Sequence, residues 1–484
     1  MSEKTVALIT LGCARNEVDS EELAGRLEAQ GWKLVSDPEL AQAVMVNTCG
    51  FVDIAKADSI NTIIEAADLK DSGGVTKAVV AVGCLAQRYG RELASDLPEA
   101  DAVLSFDDYP MIGERLDAVM RGEKLVAHEP SDRRALLPIS PVDRAANTTP
   151  IPGHGGHGLQ DAMPEGNDAL AWQPPILRKR LENSPVAPVK LASGCDRRCT
   201  FCAIPSFRGS FISRPPADVV AEIAWLAGLG VTEAVLVSEN STSYGKDLGD
   251  LRLLESLLPA IGEGTDIARI RVAYLQPAEV RPDLLRVMAG TPVVAPYFDL
   301  SFQHASASLL RRMKRFGGKY SFLELIATIR ELSPAAGIRS NVIVGFPGET
   351  DEEFAELVSF LDEAQLDAVG VFGYSDEEGT EAFHLQPKVD PDIIAARVRL
   401  ITDLVEELMA QRAQDRVGEI VEVVIESFDA PSGSLFGHAG HQGPDDGETQ
   451  IVLGDKNASV EIGQLVRAKV IDSSGVDLIA ELVS

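Results

Sequence analysis

Apolar runs alternate with helix-like patterns through the first quarter of the chain. The runs of strand character and the helical patterns between them lie at 5–11, 16–30, 43–49, 60–67 and 77–84. Strands and helices that alternate in this way are typical of a parallel, doubly wound α/β sheet. The pattern therefore predicts an N-terminal α/β domain over residues 1–122.

The regular pattern is lost over residues 123–185, which are rich in proline, glycine and histidine. Such a composition predicts a linker or a mobile insertion. His154 and His157 lie in this stretch and could bind a metal. Histidines in a glycine-rich segment are more often solvated, so we assign them no role.

Strand-like runs recur from residue 186 onward and are separated by helical stretches. Regular alternation over this length predicts a partial (β/α) barrel, with about six strands rather than eight. A charged helical pattern over about 391–417 would complete this segment. We therefore predict that the barrel spans residues 186–417.

The last segment, 418–484, contains short alternating strands with glycine turns, which predict a small β-barrel. Small barrels often bind nucleic acid, but acidic residues dominate this one. Its acidic positions are Glu419, Glu422, Glu426, Asp429, Asp445, Asp446, Glu448, Asp455, Glu461, Asp472, Asp477 and Glu481. Its basic positions are Lys456, Arg467 and Lys469. This balance favours a module that faces protein over an RNA clamp.

The bulk composition sets broad limits on function. A chain of 484 residues with 45% hydrophobic content is long enough for about three packed domains. No apolar run approaches the roughly 18 residues that span a bilayer, and the start MSEKTVALIT lacks the apolar core of a signal peptide, so we expect a soluble, cytoplasmic protein. The net charge of -30 disfavours free nucleic acid as the principal partner, although acidity alone also keeps proteins soluble.

Three of the six cysteines, Cys195, Cys199 and Cys202, have the spacing C-x3-C-x2-C. Six cysteines are too few for a disulfide scaffold in a chain of this size. Three thiolates from one loop could hold a four-iron cluster and leave one iron open to a ligand that is not protein. A zinc site with a fourth ligand elsewhere is the competing interpretation. The spacing, with aromatic Phe201 before the last cysteine, favours iron–sulfur; Phe201 itself could shield the cluster or simply pack.

The other three cysteines, Cys13, Cys49 and Cys84, each lie within one or two residues of the end of a predicted strand. Ligands of open α/β sheets bind at the carboxyl ends of the strands. The predicted fold would therefore bring these three thiols together. Three unrelated buried cysteines on neighbouring strands are the alternative interpretation.

The C-x3-C-x2-C loop at the head of a partial barrel resembles the radical S-adenosylmethionine (SAM) enzymes. The resemblance implies that the open iron chelates SAM and that an electron from the cluster cleaves it to a 5′-deoxyadenosyl radical. With a second cysteine triad and a terminal barrel of the TRAM type, nearly the whole chain is similar to the methylthiotransferases. That resemblance implies two 4Fe-4S clusters, one carrying the transferred sulfur, and SAM as both methyl donor and radical source.

Four stretches, IPSFRGSFISRP, STSYGKD, FQHASASLLRRMKR and YSDEEGT, are similar to the RimO branch of this family. In the tRNA-modifying MiaB branch, the motif that corresponds to YSDEEGT typically has an arginine near the position of Glu378. Two features of this chain, SENSTSYG and Gln276, depart from the usual RimO pattern. RimO enzymes modify the β-carbon of an aspartate in small-subunit ribosomal protein S-twelve. The implied partners are that basic protein or the small ribosomal subunit, an electron donor such as flavodoxin or ferredoxin, and a sulfur donor; we expect a monomer.

Two alternatives to this function remain open at the level of the sequence. One is a tRNA methylthiotransferase that acts on a modified adenosine. The other is a non-catalytic iron–sulfur protein that transfers electrons or scaffolds cluster assembly. An electron carrier would need neither an open iron nor a barrel around it, which disfavours the second alternative.

Other candidate residues follow the predicted barrel strands. Gly345 and Gly348 in VIVGFPGET resemble the turn that approaches the adenosine of SAM, where glycine permits close backbone approach. A plain strand-to-helix turn, capped by Thr350 or the next residue, explains the same pattern. Glu239 and its two following neighbours could face the cofactor. The basic run at 312–315 is expected to be a solvated face, although it could meet an acidic target, and a histidine at 304 is expected to lie in the core.

Overall fold

A computed structural model of the protein describes residues 3–50, 52–133, 178–453 and 460–483. The chain forms two compact units. The first unit consists of Met1–Asn183, Ala192–Arg197 and Ala203–Arg214, and the second consists of Ser184–Leu191, Arg198–Cys202 and Pro215–Ser484. His154, His157 and most of the 123–185 segment lie outside the described residues. The division into four segments made from the sequence stays a prediction.

The first unit is built on a five-stranded parallel sheet with the strand order β2-β1-β3-β4-β5. Its strands are β1 (Thr5–Thr10), β2 (Lys33–Leu34), β3 (Ala43–Thr48), β4 (Ala78–Val82) and β5 (Ala102–Val103). Its first four helices are α1 (Ala14–Ala29), α2 (Asp53–Asp68), α3 (Gly83–Asp96) and α4 (Ile112–Met120).

Alternate strand residues of this sheet pack into two separate hydrophobic cores. Met45 and Val80 lie in one core with the apolar face of α1 and α4. Val44 and Val79 lie in the other core with α2 and α3. Since side chains alternate along a strand, helices cover both faces of the sheet. The predicted doubly wound α/β fold is therefore confirmed.

The stretch after the cysteine loop also belongs to the first unit. It contains α5 (Ile204–Arg208) and β8 (Ile212–Ser213), and β8 pairs in antiparallel orientation with β7 (Ala192–Ser193), which lies just before the loop. Phe207 of α5 is buried in the same core as α1 and α4. This apolar anchor fixes the residues that follow the last cysteine of the loop.

The second unit contains six parallel strands in two three-stranded sheets, β6-β9-β10 and β11-β12-β13. A parallel bridge from Leu275 to Leu300 joins β10 to the β11 side. The strands are β6 (Val186–Lys190), β9 (Glu233–Val237), β10 (Arg269–Val272), β11 (Tyr297–Asp299), β12 (Gly337–Val344) and β13 (Ala368–Gly373). The predicted partial barrel of about six strands is confirmed.

Seven helices among the described residues of the second unit accompany these strands. They are α6 (Pro216–Gly228), α7 (Leu253–Gly264), α8 (Pro282–Gly290), α9 (Ala307–Arg312), α10 (Lys319–Leu332), α11 (Asp351–Ala364) and α12 (Pro391–Asp415). In the described part of the chain, no helix combines the length and the apolar character that crossing a bilayer requires.

A closed five-stranded barrel ends the second unit, with the strand order β14-β15-β16-β18-β17. Its strands are β14 (Ile420–Asp429), β15 (Ser434–Ala439), β16 (Thr449–Val452), β17 (Leu465–Ser474) and β18 (Asp477–Leu482). Pairing of β14 with β17 closes the barrel around its own small apolar core. The predicted terminal β-barrel is therefore confirmed.

A buried ion cluster ties the terminal barrel to the six-stranded barrel. The carboxylate of Glu233 accepts hydrogen bonds from Arg269 and from Nε of Arg271, the latter at 2.7 Å. Arg269 also donates to the backbone oxygen of His438 at 2.9 Å, and Arg271 donates to that of Gly440 at 2.9 Å. Each arginine thus joins a barrel carboxylate to a carbonyl of the terminal barrel.

We expect Glu233→Gln to destabilise the protein by about 3–5 kcal/mol, because it leaves two buried guanidinium groups without their counter-charge. Burial would raise the pKa of Glu233, but Arg269 and Arg271 outweigh it and lower the pKa to about 2. A carboxylate with a depressed pKa stabilises the fold above its unfolded value of 4.5, and this contribution is lost as pH falls towards 2. Thermal unfolding between pH 7 and 3 measures both effects; Glu324→Gln, on an exposed position of α10, is the control.

Candidate metal centres

The three cysteines of the first unit lie at the carboxyl ends of three adjacent parallel strands. Cys13 precedes α1 in an extended conformation, Cys49 follows β3, and Cys84 is the second residue of α3 after β4. A Cβ built on Gly12 would lie 2.9 Å from Sγ of Cys49, so the loop that carries Cys13 runs directly against that thiol. The strand order thus puts the three cysteines at the same end of the sheet, and their assembly into one ligand set stays a prediction.

Buried polar side chains hold these strand ends together. Nδ2 of Asn16 donates to the backbone oxygens of Leu11 at 2.9 Å and Thr48 at 3.1 Å, and Sγ of Cys84 lies 3.5 Å from its Oδ1. On the other side, Oγ of Ser59 accepts from the backbone N–H of Cys49 at 2.9 Å. The three thiol-bearing loops are thus linked through two buried side chains.

Arg208 of α5 contacts one thiol of this triad directly. Its Nη2 lies 3.1 Å from Sγ of Cys84 and 3.0 Å from Oδ2 of Asp19. Burial would raise the pKa of Cys13, but the charges of Arg15 and Arg208, with backbone N–H groups, bring it below its ordinary value. Burial raises the pKa of Cys84 to about 11, against the influence of Arg208. The thiol of Cys13 therefore ionises more readily than an ordinary thiol. The thiol of Cys84 ionises less readily and loses its proton when it binds a metal.

The donor set of this triad fits an iron–sulfur cluster. Its three thiols follow adjacent parallel strands, Arg15 and Arg208 act on Cys13 as positive charges, and thiolate sulfur is the natural ligand of such clusters. None of the six cysteines forms a disulfide. Within the described residues, no three His, Cys, Asp or Glu side chains already form a finished metal-ligand set, so the ligand assignment stays a prediction.

We expect Gly12→Ala to weaken iron binding at this triad by about 10- to 100-fold, as changes beside metal ligands commonly do. Gly12 has φ +92°, and an added Cβ would lie 2.8 Å from Cβ of Cys49. Gly31→Ala is the matched control, because Gly31 has φ +85° but nothing within 4 Å of the added atom. Iron content after anaerobic reconstitution measures the difference. Equal iron content in both variants would contradict the placement of Cys13 and Cys49 at a common site.

Cys195, the first cysteine of the C-x3-C-x2-C loop, is buried and belongs to the first unit. Its backbone N–H donates to the oxygen of Gly209 at 3.0 Å, and its Sγ accepts from the backbone N–H of Arg197 at 3.4 Å. Gly194 precedes it with φ +79°, where a Cβ would lie 2.2 Å from the oxygen of Ser210. Only glycine permits this close approach, so the sequence SGC is required by the backbone.

Cys199 and Cys202 belong to the second unit. A turn connects them, because the N–H of Cys202 donates to the oxygen of Cys199 at 3.1 Å. Thr200 fixes this turn through a backbone bond to Met313 at 3.2 Å. Phe201 packs against the core of the second unit, which supports its packing role.

Arg315 lies beside Cys199, with Nη1 3.8 Å from its Sγ. The expectation of a solvated basic run at 312–315 is wrong for this residue, which is buried and also donates to the oxygen of Ser301. Arg312 and Lys314 instead form ion pairs with Glu353 and Glu381. One arginine of the run thus contacts the cysteine loop, and the other two basic residues are paired with acids.

The structure places the glycines of VIVGFPGET in a turn after β12. Gly345 and Gly348 both have φ +78°, and a Cβ on Gly345 would lie 2.4 Å from Cγ1 of Ile394. Gly345 donates its N–H to the buried carboxylate of Glu349, which also contacts the ring of His304 at 3.0 Å. The turn therefore needs both glycines for its own geometry, and His304 is a core histidine. The proposed contact of Gly345 and Gly348 with SAM stays a prediction.

Two other expectations at this end of the barrel have different outcomes. Thr350 caps α11 by accepting from the N–H of Glu353 at 3.2 Å, as one interpretation of the turn predicted. Glu239 lies two residues past β9, and its role at the cofactor stays a prediction. Its neighbours are held internally, since Asn240 donates to Glu279 at 2.7 Å and Ser241 donates to the oxygen of Ala273 at 2.6 Å.

Two protein-family models match different parts of this chain. Residues 5–105 match uncharacterized protein family UPF0004, and residues 189–361 match the Radical SAM superfamily. Membership in that superfamily implies a 4Fe-4S cluster and SAM. The fold is similar to that of the radical S-adenosylmethionine methyltransferase TsrM from Kitasatospora setae, with a TM-score of 0.54 and 15% identity over 79% of this chain and 74% of that one.

Curated relatives extend the similarity over the whole length. The ribosomal protein uS12 methylthiotransferase RimO of Streptomyces avermitilis is 59% identical over 99% of this chain and 96% of its own. Those of Streptomyces coelicolor and Nocardioides sp. are both 58% identical, over 99% and 98% of this chain and 96% of their own. The chain belongs to the RimO family of radical SAM methylthiotransferases.

Proposed function

We propose that this enzyme adds a methylthio group to the β-carbon of an aspartate in ribosomal protein uS12. The observation that carries the proposal is 59% identity over 99% of the chain to a curated uS12 methylthiotransferase. The aspartate and its β-carbon are what the RimO resemblance implies. A ribosomal substrate supports a cytoplasmic location for the reaction.

The two cysteine triads would hold clusters with different roles. Cys195, Cys199 and Cys202 would hold the cluster that binds SAM, and the triad of the first unit would hold a second 4Fe-4S cluster. When bound, these groups supply the electron, the hydrogen-abstracting radical and the sulfur. The chain's own residues supply thiolates, and Arg208 and Arg315 place positive charge beside one cysteine of each triad.

The remaining components follow from the same proposal. Gly345, Gly348 and Glu239 would line the SAM site at the strand ends. An electron donor such as flavodoxin or ferredoxin would reduce the cluster, and a sulfur donor would replenish the transferred atom. The enzyme would act as a monomer.

The terminal barrel supports a basic protein as the substrate. Arg467 lies opposite Glu422 in the β14–β17 register, and Lys469 lies opposite Glu481 in the β17–β18 register. These two bases are thus offset by neighbouring acids. Three further acids are exposed: Asp445 and Glu461 lie outside the strands, and Asp472 lies opposite Ile479 in the β17–β18 register. The exposed side of this barrel is therefore acidic and complementary to a basic partner.

Reversal of these charges is expected to weaken association with uS12 by about tenfold or more at low salt. The variant replaces three exposed acids of the terminal barrel with lysine, at Asp445, Glu461 and Asp472. The matched control makes the same three changes on exposed helix positions of the second unit, at Glu263, Glu324 and Glu331. Binding kinetics across a salt series measure the effect. Equal weakening in both variants would show that net charge, and not this surface, attracts the substrate.

The function is tested by anaerobic reconstitution with iron and sulfide, followed by reductant, SAM and one substrate. The substrates are uS12 and unmodified tRNA in parallel reactions. We expect a methylthio mass gain on one aspartate of uS12 and none on tRNA. A gain on tRNA alone would support the MiaB-like alternative, and failure to cleave SAM would support the non-catalytic one.

A further inference from the structure

Arg208 makes several buried contacts around the triad of Cys13, Cys49 and Cys84. Its side chain is 3% exposed and that of its ion-pair partner Asp19 is 0% exposed. Nη2 of Arg208 contacts Oδ1 of Asn16 at 2.9 Å, Oδ2 of Asp19 at 3.0 Å and Sγ of Cys84 at 3.1 Å. One guanidinium nitrogen thus meets a carboxylate, an amide and a thiol in a dry environment.

The next residue contacts the other cysteine motif. The oxygen of Gly209 accepts the backbone N–H of Cys195 at 3.0 Å. Cys84, Arg208, Gly209 and Cys195 all belong to the first compact unit. The dipeptide Arg208–Gly209 therefore contacts one cysteine of each triad, through a side chain on one and a carbonyl on the other.

The surroundings of Arg208 hold it in this place. Phe207 is buried in the core of the first unit and anchors α5. The guanidinium also lies over the ring of Phe106, 5.3 Å from its centroid. The ring and the buried carboxylate of Asp19 fix the plane of the guanidinium. A residue needed only to fill space would not require a buried charge with its own counter-ion.

We propose that Arg208 is a positioning residue that holds Cys84 and sets the reduction potential of the cluster at Cys13, Cys49 and Cys84. This inference rests on the proposed function, because it assumes the second cluster. Hydrogen bonds to cluster sulfur and nearby charge are the means by which proteins tune such potentials. A positive charge stabilises the reduced cluster, which carries one more electron, and therefore raises the potential.

Substitution of Asp19 tests the direction in which charge shifts the reduction potential. The negative charge of Asp19 offsets that of Arg208, so Asp19→Asn removes a carboxylate that contacts the guanidinium and raises the potential. The double variant Arg208→Gln with Asp19→Asn removes both charges together and leaves no buried ion without a partner. Its potential falls below those of Asp19→Asn and of the parent, because the positive charge 3.1 Å from Sγ of Cys84 is lost.

The experiment uses the full chain with Cys195, Cys199 and Cys202 changed to alanine, so that only the first triad can hold iron. After anaerobic reconstitution, iron and sulfide content are measured, and a dithionite titration followed by electron paramagnetic resonance gives the potential. Four chains are compared: this parent, Asp19→Asn, the double variant, and Arg208→Lys. The lysine variant keeps the charge but can contact fewer partners, so we expect its potential to lie between those of the parent and the double variant.

The possible results distinguish a failure of the role of Arg208 from a failure of the proposed function. No four-iron cluster in the parent would refute the second cluster and the proposed function with it. A loaded parent whose potential equals that of Asp19→Asn and of the double variant would overturn the role of Arg208 and leave the function intact. The order Asp19→Asn highest and double variant lowest supports the inference, since a merely structural role would not give shifts of opposite sign.

Discussion

Replacing Cys195 with alanine abolishes the reductive cleavage of SAM, and we expect a loss of at least about a hundredfold. Changes around a ligand already cost 10- to 100-fold at metal sites, and this change removes a ligand itself. Only three thiols come from the loop, so two cannot hold the four-iron cluster in place. The backbone around this residue is held by the hydrogen bond of Cys195 to Gly209 and by the close approach of Gly194 to Ser210, so the loop keeps its path when the thiol is removed.

The measurement is the yield of 5′-deoxyadenosine from SAM and reductant, with no substrate added. Iron content must fall by the share that the loop holds, while the iron of the first triad remains. Wild-type cleavage by Cys195→Ala would contradict the assignment of the SAM-binding cluster to this loop.

Replacing Cys13 with alanine has a different expected result. Cleavage of SAM is expected to be retained, whereas methylthio insertion into uS12 falls to background, because the proposed sulfur-carrying cluster would lose a ligand. Cys13 lies at the sheet edge of the first unit, together with Cys49 and Cys84. The two cysteine variants are reciprocal controls, since each removes one thiol from one triad.

Product analysis by mass spectrometry distinguishes the two variants in the same reaction. The ratio of 5′-deoxyadenosine to modified uS12 should rise steeply in Cys13→Ala. Equal loss of cleavage in both variants would contradict separate roles for the two triads.

The parts of the fold that depend on local pattern could be predicted from the sequence. The strands at 43–48 and 78–82 are apolar runs between helical patterns, and their parallel pairing follows from the helix that connects them. The edge location of Cys13, Cys49 and Cys84 then follows, because parallel strands end on one side. The six-stranded barrel and the closed terminal barrel were predicted by the same reasoning.

The arginines beside the thiols could not be predicted in this way. Arg208 is 124 residues from Cys84 in the chain, and Arg315 is 116 residues from Cys199. No periodic pattern relates residues so far apart, and a run of basic residues gives no sign of which one is buried. The stretch IPSFRG is similar to the RimO branch, and this similarity is the feature of the sequence that could have identified Arg208.

The acidity of the terminal barrel was also only partly interpretable from the sequence. Asp446 contributes to the acidic count, but it is not a surface charge. Its carboxylate accepts from Nε of Arg339 at 2.8 Å and from the hydroxyl of Tyr297 at 2.5 Å. Contacts across two barrels decide which acids remain for a partner, and composition alone cannot separate them.

The most direct test of the central claim uses uS12 that carries deuterium at the β-carbon of its aspartates. The claim is that a radical made at one cysteine triad removes a hydrogen from that carbon and that sulfur from the other triad replaces it. We predict deuterium in 5′-deoxyadenosine and a methylthio group on one aspartate of the same uS12 sample, with one deuterium lost from that residue. Deuterium-free 5′-deoxyadenosine together with a fully deuterated, unmodified aspartate would contradict the claim.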